Sequence, residues 1–123
     1  MDLYRFAYQL EGVVAEIVQV DGLLFMNSES LSLVELRAKV ASHKSATDAQ
    51  LWMNIYLFDD FITEAVGDEW ADDDPSVEKI VSVFTRAWSY QILVKYPDAK
   101  FSIERVSDSE YGDLGVRLLG TVS

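Results

Sequence analysis

"LYRFAYQLEGVVAEIVQVDGLLFM" occupies residues 3–26, and whether it is strand or helix decides the fold. Its first part alternates, with Tyr4, Phe6, Tyr8 and Leu10 on one side, the two-residue period of a half-buried strand. Its second part, "VVAEIVQV" (residues 13–20), is rich in β-branched residues that suit a pleated surface. Glu11-Gly12 separates the two parts, and Asp21-Gly22 is a strong two-residue hairpin signal. The pattern predicts a meander of strands over 3–10, 13–20 and 23–26. A single amphipathic helix competes with it, because Leu3, Phe6, Ala7, Leu10, Val13, Val14 and Ile17 also fit helical spacing. Gly12 and the valine-rich second half weigh against the helix.

The middle of the chain reads as helix. Ser32 followed by Glu35 is a capping-box pattern, with Leu33, Leu36 and Val40 behind it at helical spacing, so a helix is expected over 32–43. Thr47 and Gln50 repeat the pattern and predict a helix over about 48–66, stopped by Gly67. Asp74-Pro75 supplies an N-cap and a first-turn proline for a third helix over 75–95. Its inner stripe is Val77, Ile80, Val81, Phe84, Trp88 and Ile92, and Tyr96-Pro97 closes it. The C-terminus alternates again and predicts a hairpin of strands over 100–107 and 114–122. The expected fold is α+β: a mostly antiparallel sheet of N-terminal strands and a C-terminal hairpin, packed against three helices. Expected core residues are Leu51, Ile55, Phe58, Ile62, Val81, Phe84, Trp88, Phe101 and Ile103.

A chain of 123 residues, half of them hydrophobic, fits one domain over 1–123. It has no cysteine, hence no disulfide framework and no thiolate chemistry. No basic leader precedes an apolar stretch at the N-terminus, and no apolar run is long enough for a bilayer, so a cytoplasmic setting is expected.

The net charge is −11. Most of it lies in "DDFITEAVGDEWADDD" (residues 59–74), which holds eight acids and no base, against 13 acids and 10 bases elsewhere. Such a segment repels nucleic-acid phosphates and anionic lipid, and attracts basic protein surfaces. Direct nucleic-acid and membrane binding are therefore not expected. Asp72, Asp73 and Asp74 precede a helix, where negative charge meets the positive end of the helix dipole. Glu64, Asp68 and Glu69 lie at the opposite, negative end of the preceding helix, where the same charge is unfavourable. Either distant bases fold onto them, with Arg37, Lys39, Lys44, Lys79 and Arg86 as candidates, or a basic partner uses them, or a cation sits among them. The spaced Asp-x-Asp-x-Asp-Gly pattern of a calcium loop is missing from "GDEWADDD". Trp70, between acids, suits an interface anchor, or a residue folded back over the core. The candidate partner-binding residues are Asp60, Glu64, Asp68, Glu69, Trp70, Asp72 and Asp73.

Gln50, Asn54, Asp60 and Glu64 share about a third of the circumference of the expected helix over 48–66, with Asp60 and Glu64 as its solvated edge. The rest of that helix is apolar almost all round, as expected for a helix buried on most sides, or for one packing Trp52, Tyr56 or Phe61 on a second copy of the chain. His43 is the only histidine, and no nucleophile-elbow, phosphate-loop or zinc motif accompanies it. No catalytic residue, metal or cofactor is expected. The expected function is that of a small acidic, non-enzymatic protein-binding domain whose partner presents a basic surface, such as the groove of a toxin nuclease. Small, acidic, cysteine-free α+β chains occur among inhibitory proteins of that kind, immunity proteins included, a likeness of composition alone. A homo-oligomeric structural or regulatory domain is the alternative, and a carboxylate enzyme using Mg²⁺ is a third reading.

Overall fold

The structure, a computed structural model, describes residues 3, 10, 11, 13–67, 69–71, 74–108 and 113–122. Asp21-Gly22 does what its sequence requires. Both residues take positive φ (53° and 80°), which closes a tight turn between β1 (Glu16–Val20) and β2 (Leu23–Asn27). Ahead of that hairpin, Leu3, Leu10, Glu11 and Val13 are helical, and this overturns the expected strand over 3–10 at its described positions. Residues 4–9 lie outside the described set. Leu10 and Val13, three apart, line one apolar depression with Phe58, Phe61 and Phe84. Helical spacing puts both side chains on that surface, whereas alternation would send one of them away.

Helix α1 (Leu33–Ala41) begins at Ser32 with both hydrogen bonds of the capping box, Glu35 N–H to Ser32 Oγ and Ser32 N–H to Glu35 Oε1. Accepting the Ser32 backbone N–H holds the Glu35 carboxyl below its ordinary pKa. Helix α2 (Ala46–Met53) starts earlier than expected, on Ser45 rather than Thr47, because the Ser45 hydroxyl accepts the Asp48 N–H.

The helix expected over 48–66 is two helices with a strand between them. It stops at Asn54; Ile55–Leu57 form β3; and a new helix, α3 (Asp59–Val66), runs to Gly67. The last long helix, α4 (Pro75–Lys95), has the expected bounds, with Asp74 accepting the Ser76 N–H as N-cap. β4 (Lys100–Asp108) and β5 (Asp113–Thr121) form the C-terminal hairpin.

Every pairing in the five-stranded sheet is antiparallel. β5 is central. β4 lies along one of its edges, while β3 and β2 share the other, β3 opposite Gly115–Arg117 and β2 touching it only at Leu23↔Thr121. Alternation along β2 divides the interior in two. Leu24 and Met26 join Ile17, Leu114, Val116 and Leu118 beneath Trp88 and Ile92 of α4. Phe25 points the other way, into a smaller cluster with Val20, Leu36, Val40 and Ala49 under α1 and α2. The free edge of β1 is covered by side chains of α4 and the residue after it. Gln91 bonds Ile17 N–H and Ala15 C=O, Lys95 bonds Ile17 C=O, and Tyr96 OH accepts Gln19 N–H.

Phe58, Ile62, Phe84 and Trp88 are buried as expected, and Ile55, Val81, Phe101 and Ile103 are half-buried. Leu51 is a correction. It is exposed, because α2 ends at Met53 and turns Leu51 and Trp52 outward beside the sheet.

Candidate functional site: the acidic segment and the groove beneath it

The break at Asn54 changes the electrostatics of the acidic segment. Asp59 and Asp60 no longer lie within a long helix. They occupy the first turn of α3, where carboxylates face the positive end of the dipole. Asp59 is tied further, since its Oδ1 accepts the Leu114 N–H of β5 at 3.2 Å. Asp60 is exposed. Glu64 is exposed on the last turn of α3, and Glu69 is exposed beyond Gly67. Asp68, Asp72 and Asp73 lie outside the described residues. The structure therefore sorts the described acids of the segment by role. Asp59 and Asp74 make structural hydrogen bonds, Asp60 and Glu69 present charge to solvent, and Glu64 is exposed on α3.

The cations of α1 lie across the sheet from the described part of this segment. α1 packs over the Phe25 side of the sheet, whereas α3 and α4 cover the opposite side. Lys39 pairs with Glu29, and Arg105 of β4 pairs with Glu78 of α4. Arg37, Lys44, Lys79 and Arg86 are exposed.

Trp70 folds back. Its indole N–H donates to Thr63 Oγ1 of α3 at 2.8 Å, and its ring packs half-buried at the margin of the larger core. It also forms one wall of a groove of about 370 Å³ between α3 and the start of α4. Phe61, Ile62, Ala65 and Val66 line it from α3, and Val77 and Ile80 from α4. Glu69 and Asp74 stand on its rim. A second, smaller depression of about 160 Å³ shares Phe61 and Ile80 with the first and continues to Val83, Phe84, Leu10 and Val13. The two adjoin at Phe61 and Ile80 on the facing sides of α3 and α4, and together are termed the channel, whose acids stand at the Trp70 end. The sequence marked Trp70 and the acids but not the floor, because Phe61, Ala65, Ile80 and Val83 read as ordinary core positions until two helices are set side by side.

The other features of the molecule are less concentrated. A polar depression beside Glu11, Glu16, Ser28 and Ser30 includes Asn27, whose amide is occupied in holding Leu31 N–H and C=O. His43 is half-buried in the α1–α2 connection, with its Nδ1 3.9 Å from Asp48. Among the described residues no three His, Cys, Asp or Glu side chains are grouped to hold a metal ion. Also among them, no helix is long and apolar enough to cross a membrane. Of the three aromatics weighed for an interface, Trp52 is 64% exposed, while Tyr56 and Phe61 are half-buried, Tyr56 with its ring centroid 5.0 Å from that of Phe84. No protein-family model, no curated protein and no solved structure matches this chain.

Proposed function

We propose that this chain is a small protein-binding domain without enzymatic activity, whose acidic segment docks on a basic surface of another protein. An inhibitor or immunity-type protein seated in the groove of a nuclease is the form that best fits its charge. One observation carries the reading: Glu69 and Asp74 stand on the rim of an apolar groove with an aromatic wall, so charge and buryable surface occur together. Charge of this kind mainly accelerates encounter and selects the partner, while the apolar floor supplies area to bury. A panel of basic nucleases, scored for association rate and for inhibition, tests it. The expected result is binding to at least one member, with an on-rate that falls as salt rises and falls again with Glu64→Gln, Asp68→Asn and Glu69→Gln together. Binding indifferent to both salt and these substitutions would count against it.

Trp52 favours a second reading, self-association. With Leu51 and Leu57 it presents apolar surface on the opposite side of the sheet from α4. A mass that rises with concentration in sedimentation, and stays monomeric for Trp52→Asp, would replace the first reading with this one.

A further inference from the structure

The channel along the α3–α4 seam has a shape as well as a charge. Its α4 wall runs from Val77 through Ile80 to Val83 and Phe84, about 10 Å or close to two helical turns, with Val77 and Phe84 buried beneath it and Ile80 and Val83 reaching its surface. Its α3 wall presents Phe61 and Ala65, one turn apart. An occupant with apolar side chains at i, i+3 or i+4, and i+7 spans the same length, the anchor pattern of a helix lying in a groove. Parts of the channel remain open to water at apolar positions, with Val66 68% and Val83 41% exposed.

The charge is one-sided. Glu69 and Asp74 stand at the Trp70 end, where Ala65 and Val66 of the last turn of α3, its negative end, also line the groove. The opposite end, near Leu10, Val13 and Val83, is lined by apolar residues. From this juxtaposition, and resting on the docking role proposed above, we infer that the occupant is an amphipathic helical segment of the partner. Its apolar stripe fills the channel, and its Lys and Arg residues gather at the end that meets Trp70. Trp70, held by Thr63, forms a fixed wall against which the basic end of the segment lies.

The test uses the full chain and two synthetic peptides of about 14 residues, roughly four helical turns. One carries leucines at i, i+3, i+4 and i+7 with lysines clustered at one end. The other has the same composition in scrambled order. Binding is followed by peptide fluorescence anisotropy in low and high salt. The helical peptide is expected to bind at least about ten-fold more tightly than the scrambled one, roughly 1.4 kcal/mol. Ala65→Glu, a change at an exposed position on the groove floor, should remove that advantage and leave thermal unfolding unchanged. Val66→Glu is the second variant should the first disturb folding. If both peptides bind equally and neither variant matters, the helical occupant is overturned and charge-driven docking stands. If the helical peptide binds without regard to salt, or to the amides at Glu64 and Glu69, the groove inference stands and the acidic docking role falls. If neither peptide binds, both fall.

Discussion

Asn54 ties three segments of the sheet together. It is completely buried, and its side chain accepts the Met26 N–H and donates to the carbonyls of Leu24 and Leu118. Its own carbonyl accepts the Leu118 N–H. Gln50, one helical turn earlier, donates to the carbonyls of Leu24 and Gly120. β2 and β5 pair at a single register position, and these two amides replace the ladder where the strands part. Asn54→Leu keeps much of the volume and orphans the Met26 N–H and the Leu118 carbonyl, since Gln50 still serves Leu24. The expected loss is about 2–5 kcal/mol in denaturant unfolding. Asn54→Asp is the sharper variant. Ionised, its carboxylate would face two carbonyl oxygens in a buried site, so its folded pKa is expected to rise above the unfolded value. A raised pKa means that stability is retained below the unfolded pKa and lost as pH rises through the folded one. Asn54→Asp should therefore approach the wild type near pH 4 and fall short of it at neutral pH, by roughly 3–5 kcal/mol. A pH-independent deficit would show that the carboxylate finds water or a cation.

Among the elements, β3 is the one that composition concealed. "LWMNIYLFDDFI" has apolar residues enough for a continuous helix, and nothing within it is a helix breaker. The break has a long-range cause. Ile55–Leu57 find hydrogen-bonding partners on β5, and Phe58, next along, enters the core stacked on Phe84 at 5.7 Å. Gly115 permits the pairing. A Cβ there would lie 2.1 Å from the Tyr56 carbonyl oxygen and 2.9 Å from Leu57 Cα, so the strands approach too closely for any side chain. Gly115→Ala should separate β3 from β5 and cost on the order of 3 kcal/mol, with amide exchange in 55–57 accelerated more than in β4. Phe84 is the packing counterpart. Its ring lies between Tyr56, Phe58 and Trp88, with centroids 5.0, 5.7 and 5.5 Å away. Phe84→Ala should cost roughly 3–5 kcal/mol, and a loss under about 1 kcal/mol would mean that the cavity collapses freely.

For the whole molecule, the net charge of −11 resists compaction. The melting temperature should rise as salt is raised from low to physiological strength, where charges interact over about 8–10 Å. If it falls instead, attractive pairs such as Arg105–Glu78 outweigh the repulsion. Glu69→Gln should leave stability within about 0.5 kcal/mol, since the side chain is exposed beyond the end of α3, while slowing association with a basic partner.

Local chemistry was enough to determine several features from sequence. The Asp21-Gly22 hairpin, the Ser32 box, the Asp74-Pro75 start and the C-terminal alternation each depend on residues within a few positions of one another. Those signals also carried the α+β class and the inner stripe of α4. Tertiary structure alone decided the helical state of Leu10 and Val13, the conversion of one expected helix into helix, strand and helix, and the side of the sheet that each base would occupy. It alone assembled the channel as well. Apolar periodicity is ambiguous where helix and strand both bury the same side chains. What resolved it here was the demand of β5 for backbone partners along its second edge, met by residues some sixty positions away.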